Sequence, residues 1–280
     1  MIARKIAVAI FILVCLAALL FSYNSWKQKL AGTSSDETVV EAPSGIAATD
    51  GEQGVPADKE RPTTRDDGRL KDSELATLSA NLDGRMAGLL DSRFQAGEHV
   101  KLLIVGSQAI EQGGNGGAAG LLADSLADAY KGFIETDIIS FAGTSREFIE
   151  QMDELVDFGV YDVVLFEPFT LNNNGRVVIE DEHRHILRGR DALQEVKEDA
   201  VLLLMPSQPI FRPNFYLTQI RSLENFAAVR GIPYVDHWAA WPDVADDAIL
   251  NYLDEDSGPN DAGAEAWGSV LVDYFTGSGE

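Results

Sequence analysis

From Leu70 onward, the sequence alternates between short apolar runs and longer stretches whose apolar residues recur at helical spacing. The short runs are of the kind that is buried on both faces of a parallel sheet. They predict five strands, at 101–105, 136–141, 161–166, 200–205 and 232–235. The longer stretches predict helices at 75–90, 115–130, 144–156, 181–198, 214–229 and 260–275.

This alternation predicts an α/β fold, with a doubly wound, flavodoxin-like sheet of five parallel strands and helices on both faces. Thr144 and Glu147 have the spacing of a capping box, which predicts a helix start directly after the second strand. In such sheets, ligands bind beyond the carboxyl ends of the strands, near the point where the strand order reverses. Polar residues at the strand ends are therefore the candidate site residues.

The amino-terminal end has a different pattern. Residues 6–23 form an uncharged apolar run, with Arg4 and Lys5 before it and Lys27 and Lys29 after it. The run is long enough to cross a bilayer, so residues 1–29 are predicted to be a single N-terminal transmembrane helix that anchors the chain in the cell membrane. A cleaved signal peptide is the alternative, but its apolar stretch would be shorter and would end at a small-x-small site.

Residues 30–68 are rich in Ser, Thr, Gly, Pro, Asp and Glu and contain hardly any large apolar side chain, which predicts a disordered acidic linker. Residues 69–280 are the predicted globular domain. We expect this domain to be extracytoplasmic, because the segment after the apolar run is acidic and the domain has no cysteine to protect or pair. The net charge of -23 argues against nucleic-acid binding, which needs clustered Lys and Arg.

The end of the first predicted strand has the most informative motif. Residues 105–109 read Val-Gly-Ser-Gln-Ala, closing an apolar run and opening a glycine-rich turn. The motif resembles the first block of the GDSL, or SGNH, esterase family, where Gly-Asp-Ser contains the nucleophile. Gly106 matches, Ser107 stands at the family's aspartate, and Gln108 stands at its serine. A carboxamide is not a usable nucleophile for acyl transfer, because its nitrogen lone pair is delocalised into the carbonyl.

Three later blocks extend the resemblance over residues 100–275. Gly143 matches the second-block glycine and Asn172 the third-block asparagine, and in the family both hold the oxyanion. Plain turn chemistry is the alternative interpretation of both residues. In the last block, Gly258 stands at the catalytic histidine and Glu255 at the acid that orients it. The resemblance therefore implies that the oxyanion elements are present while the nucleophile and the base are both replaced.

Two residues are candidates to replace the missing catalytic groups. Ser107 is a substitute nucleophile, although a one-residue shift on the turn points its hydroxyl in a different direction. His237 follows the fifth predicted strand with Asp236 beside it, so it is the candidate base. The alternative is a structural histidine held in its loop by Trp238 and Trp241.

Four further polar residues are predicted to line the same cleft and to bind a ligand: Gln108, Glu167, Asn173 and Gln208. Such a mixture of amide and carboxylate groups suits a sugar or a short polymer segment. No cofactor and no metal is predicted. A phosphate-binding lysine loop does not follow the first strand, and the glycines at 113–117 lack the dinucleotide-binding spacing.

Three hypotheses on function follow. The first is a membrane-anchored SGNH-like domain that has lost catalysis and binds an acylated envelope carbohydrate or an envelope protein. The second is an active esterase that removes O-acyl groups through Ser107. The third is an assembly component whose fold serves only as an interaction module.

Overall fold

A computed structural model of the chain describes residues 69–277. Its strands are β1 (Val100–Ser107), β2 (Ile134–Phe141), β3 (Val163–Phe166) and β4 (Val201–Leu204). Its α-helices are α1 (Asp72–Leu78), α2 (Gly84–Ala96), α3 (Gly117–Ala129), α4 (Ser145–Leu155), α5 (Thr170–Asn173), α6 (Ile179–Val196), α7 (Tyr216–Arg230) and α8 (Asp261–Thr276). Short 3-10 segments lie at Gln108–Glu111, Gly114–Gly116, Phe158–Val160, Trp238–Ala240 and Asp247–Tyr252.

The strands form one parallel sheet in the order β2-β1-β3-β4, so the order reverses between β1 and β3. The prediction of five strands was wrong by one. The fifth apolar run forms only a single parallel bridge, between Leu204 and Tyr234. The Leu204 amide donates to Pro233 O, and the Val235 amide donates to Leu204 O, both at 2.8 Å. Pro233 has no N–H to continue the ladder, and proline is confined to sheet edges for that reason.

Helices cover both faces of the sheet, as predicted, and two apolar cores result. Leu102 and Ile104 of β1 pack into one core, which also contains residues of α2, α3 and α8. Leu103 and Val105 point to the other face, where residues of α4, α6 and α7 complete the second core. This alternation follows from the two-residue period of a strand, and it explains why β1 is apolar at successive positions.

The capping box at the start of α4 is confirmed, since Thr144 accepts from the Glu147 amide and Glu147 accepts from the Thr144 amide. The single helix predicted at 75–90 is instead two helices, α1 and α2. Asp83 separates the two helices, because it is the N-cap of α2. Its side chain accepts hydrogen bonds from the backbone amides of Arg85 at 2.9 Å and Met86 at 3.3 Å.

The predicted membrane anchor and acidic linker lie outside the described residues. Within residues 69–277, none of the helices combines the length and the apolar character that a membrane span requires.

Candidate functional site

The carboxyl ends of three strands meet around one buried carboxylate. Glu167 follows β3 and is fully buried. Its Oε2 accepts from the backbone amide of Ser107 at 2.6 Å, and its Oε1 accepts from the hydroxyl of Ser207 after β4. Gly106 makes room for this arrangement, since a Cβ there would lie 2.7 Å from Glu167 Cβ. Glu167, predicted to bind a ligand, thus directs both carboxylate oxygens into the protein and joins the ends of the strands.

Ser107 and Gln108 stand side by side at the end of β1 but differ in exposure. Ser107 is 4% exposed as the last residue of the strand, whereas Gln108 is exposed at the start of the following 3-10 turn. Among residues 69–277, no histidine hydrogen-bonds to Ser107. The structure therefore places the predicted nucleophile at the expected sheet edge, without a hydrogen-bonded histidine to act as its base.

Gly143 and Asn172, the predicted oxyanion pair, are brought into direct contact. Asn172 Nδ2 donates to Gly143 O at 2.8 Å, which joins the loop after β2 to α5. None of the described residues accepts a hydrogen bond from the Gly143 N–H, which leaves this donor free for an oxyanion. A side chain at position 143 would collide with the ring of Phe141, so this close approach requires glycine.

An aromatic cluster fixes the short helix that contains Asn172. Phe169 precedes α5 in the left-handed region, with φ of 62°, which is a costly conformation for a bulky residue. Its fully buried ring packs against Phe148, Phe141 and Phe166, with ring centroids 5.1, 5.9 and 5.8 Å away. This packing holds the strained turn in place and so positions the asparagine.

Asn173 faces the interior, although it is the neighbour of Asn172. Its Oδ1 accepts from the Ser145 amide at 2.9 Å, and its Nδ2 donates to Glu182 Oε2 at 2.6 Å. Glu182 also accepts from the Thr170 hydroxyl at 3.1 Å. The predicted ligand-binding residue thus serves as a bridge between α4, α5 and α6.

Glu182 is a buried acid that the sequence prediction missed. It is 2% exposed, and burial raises its pKa to about 7, with the nearby Glu167 carboxylate adding to the shift. A signal for it exists in the sequence, because Glu182 falls at helical spacing with the apolar residues Ile186 and Leu193, on the buried side of α6. A carboxylate on the apolar side of a helix indicates a buried polar contact.

His237 lies at the sheet edge but has both ring nitrogens occupied. Nε2 donates to Pro206 O at 2.9 Å, and Nδ1 accepts from Trp241 Nε1 at 3.0 Å. These two partners place the ring hydrogen on Nε2, since the Pro206 carbonyl can only accept a hydrogen bond and the Trp241 indole N–H can only donate one. The ring is fully buried and stacks on Trp267 with centroids 4.3 Å apart, and burial lowers its pKa to about 3. This geometry favours the structural interpretation, because no lone pair remains to take a proton.

The loop at Gly258, where the resemblance predicts the position of the family's histidine, lies against another side chain. A Cβ added at Gly258 would collide with the carboxamide of Gln112, which fills the space beside it. Asp254 Oδ1 accepts from the Gly258 amide at 2.7 Å and shapes the loop. Gln208 Nε2 lies 3.4 Å from Ser257 O, while its buried Oε1 has no partner among the described residues. The role of Gln112 had no signal in the sequence, because it depends on two distant loops meeting.

A serine and a histidine do form a hydrogen bond elsewhere. Ser145 Oγ lies 2.8 Å from His185 Nδ1, between the start of α4 and α6. Burial lowers the pKa of His185, with Arg146 and Arg184 adding to the effect. Ser145 is fully buried, however, so no substrate reaches its hydroxyl in this structure. The pair holds two helices together and is not an accessible nucleophile.

Several solved structures are similar to this chain. A GDSL-like lipase from Parabacteroides merdae matches 63% of this chain and 95% of its own, with 11% identity and a TM-score of 0.52. A lipolytic protein of the G-D-S-L family from Desulfitobacterium hafniense matches 63% of this chain and 99% of its own, with 14% identity and a TM-score of 0.50. A catalytic mutant of an acetylxylan esterase from Geobacillus stearothermophilus matches 65% and 95%, with 16% identity and a TM-score of 0.49.

A scan against protein-family models and a search of curated proteins gave no match. The first two structural matches confirm the resemblance at the level of the fold: the described domain has an SGNH-hydrolase-like fold.

Proposed function

We propose that this SGNH-hydrolase-like domain binds a ligand or a partner at the cell envelope and has lost ester hydrolysis. We further propose that residues 1–29 anchor it in the cell membrane, with the domain on the extracytoplasmic side. The observation that carries the loss of catalysis is at Gly258, which has no side chain to act as a base and where an added Cβ would meet the carboxamide of Gln112. His237 does not replace that base, because both its nitrogens are hydrogen-bonded.

The rest of the site supports binding. A nucleophile and its base depend on one another, so loss of both removes most of the rate enhancement while the oxyanion donors remain. The Gly143 amide has no acceptor among residues 69–277, and Asn172 uses one of its two amide hydrogens on Gly143 O. Gln108 and Asn172 add polar groups that a sugar can contact. The proposed ligand is an O-acylated carbohydrate, whose acyl carbonyl would accept from these donors.

An active esterase is the second candidate, and one observation favours it. Ser107 stands at the carboxyl end of β1, and the Gly143–Asn172 pair is assembled at the same edge of the sheet. A reaction through Ser107 would need a base that is not bonded to it in this structure.

A serine-reactive fluorophosphonate probe and a short-chain chromogenic ester separate the two candidates. The full-length chain, purified in a non-ionic detergent, is expected to hydrolyse no ester and to be labelled no more than a heat-denatured sample. Ser107→Ala is the companion variant, and Ser145→Ala is its control for the other Ser–His contact. Labelling of the native chain that disappears in Ser107→Ala establishes the esterase instead.

Binding is tested with an O-acetylated xylo-oligosaccharide and the same oligosaccharide after deacetylation. We expect saturable binding of the acetylated form, weakened about fivefold by Asn172→Ala, because a hydrogen bond is worth about 1 kcal/mol. Asn174→Ala is the matched control, since Asn174 is exposed two residues further on. Equal binding of both oligosaccharides, or none, overturns the acyl-carbohydrate proposal.

Retention of the chain in membranes after an alkaline wash tests the proposed membrane anchor.

A further inference from the structure

A second cleft lies at the amino end of the sheet, opposite the candidate site. It has a volume of about 740 Å³ and is bordered by α2 and by the carboxyl-terminal parts of α6 and α7. Val201, the first residue of β4, and Ile232, which begins the bridged segment, lie in its wall. Ligand sites of this fold class lie at the carboxyl ends of the strands, so this cleft is separate from the site described above.

The cleft is lined by several positively charged side chains, although the protein as a whole is strongly acidic. Three arginines line it, Arg85 from α2, Arg190 from α6 and Arg230 from α7, whereas the chain as a whole has a net charge of -23. Arg85 and Arg230 form no ion pair with any residue of the described range 69–277. Arg190 bonds only to Asp191, its neighbour in the chain, at 2.8 Å.

The acidic residues of the cleft leave this charge only partly balanced. Asp199 lines the cleft but accepts from Arg93 at 2.7 Å, so its charge is already compensated. Glu198 is the other carboxylate of the lining, and it forms no ion pair within the described part of the chain. Two unpaired guanidinium groups, and a third that pairs with its chain neighbour, thus line the cleft together with one unpaired carboxylate.

The floor of the cleft is open and apolar. Gly84 and Gly88 of α2 line it, and a Cβ built at either position would meet nothing within 4 Å. Leu89 lies beside them in the lining, and Val201 adds apolar surface from the wall. The volume falls in the range of small-molecule sites, which combine apolar walls with a few charged groups that orient the ligand.

We propose that this cleft binds a small ligand that carries a carboxylate or a phosphate group. The planar guanidinium fork matches both groups through paired hydrogen bonds, and the cleft draws its arginines from three separate helices. The apolar floor accommodates the uncharged part of the ligand. This inference does not depend on the function proposed for the carboxyl edge of the sheet.

The experiment uses the full-length chain in a non-ionic detergent, titrated calorimetrically with inorganic phosphate and separately with D-glucuronate. We expect saturation by at least one of them at millimolar concentrations, with affinity falling as NaCl is raised because exposed charges are screened. The probe that saturates identifies which anionic group the cleft prefers.

The variant Arg85→Gln/Arg230→Gln should weaken this binding at least about tenfold, since each removes charge-assisted hydrogen bonds. Arg188→Gln is the matched control, because Arg188 is exposed on the same helix as Arg190 and lies outside the cleft. Both arginines of the double variant are exposed, so unchanged urea unfolding is expected and verifies the fold. Failure of both probes to saturate, or equal binding by the double variant and the wild type, overturns the proposal.

Discussion

Replacing Glu182 by glutamine should remove a specific pH dependence from the stability of the domain. Glu182 is 2% exposed, and its two oxygens accept from Asn173 Nδ2 and from the Thr170 hydroxyl. Burial raises its pKa from 4.5 to about 7, because the charged form loses its hydration. Glutamine has the same shape and cannot titrate, so Glu182→Gln separates the charge from the packing.

The sign follows from proton binding in the two states. Between pH 4.5 and 7 the unfolded chain releases the Glu182 proton while the folded chain keeps it, so the folded state binds more protons. Unfolding free energy therefore falls as pH rises through this range and levels off above it. Each pKa unit corresponds to about 1.4 kcal/mol, so the full effect is about 3 kcal/mol.

Urea unfolding of the full-length chain, followed by tryptophan fluorescence, measures this effect at pH 4.5 and pH 8. The stability of the wild type relative to Glu182→Gln should fall by about 3 kcal/mol between the two pH values. Comparing the two proteins at each pH cancels the other titrating groups they share. Glu195→Gln, at an exposed position on the same helix, should show no such change. A difference between wild type and Glu182→Gln that is constant with pH, or that rises with pH, would refute the reasoning.

Two further predictions concern the site edge. Gly106→Ala places a Cβ 2.7 Å from Glu167 Cβ and should lower the free energy of unfolding, measured in urea, by about 1–3 kcal/mol. Gly88→Ala is the control and should leave the free energy of unfolding unreduced, because the space around Gly88 is open. Equal stability of the two variants would contradict this prediction. His237 should remain neutral at pH 5 with its hydrogen on Nε2, because burial lowers its pKa to about 3. The nitrogen NMR chemical shifts of the ring measure its protonation state. Shifts typical of an imidazolium at pH 5 would show that the ring is not held by these hydrogen bonds.

The order of strands and helices was predictable because it depends on local periodicity. Four of the five predicted strands and the helices between them follow from apolar runs that alternate with helical stripes. The predictions failed where a single residue ended an element. Pro233 reduces the fifth strand to one bridge, and Asp83 divides the lead-in helix in two. Both residues were visible in the sequence, but their effect depends on the hydrogen bonds that their neighbours make.

The candidate site was predictable only as a region. The resemblance placed Gly143 and Asn172 near one another, and the structure joins them with a hydrogen bond. It did not indicate that Glu167 and Asn173 would face inward, since residues next to one another on a turn can point to opposite sides. Gln112 could not be identified in advance either, because its importance comes from the loop at Gly258 packing over it.

The amino-acid sequence by itself determined the fold class, because periodicity is a property of the chain at each position. Tertiary structure alone decided that Glu182 meets Asn173 and Thr170 in the interior and that Arg85 and Arg230 line one cleft. The physical reason is that burial and charge clustering depend on which distant segments pack together. Desolvation and Coulomb interactions act across space, and their strength cannot be inferred from separation along the sequence.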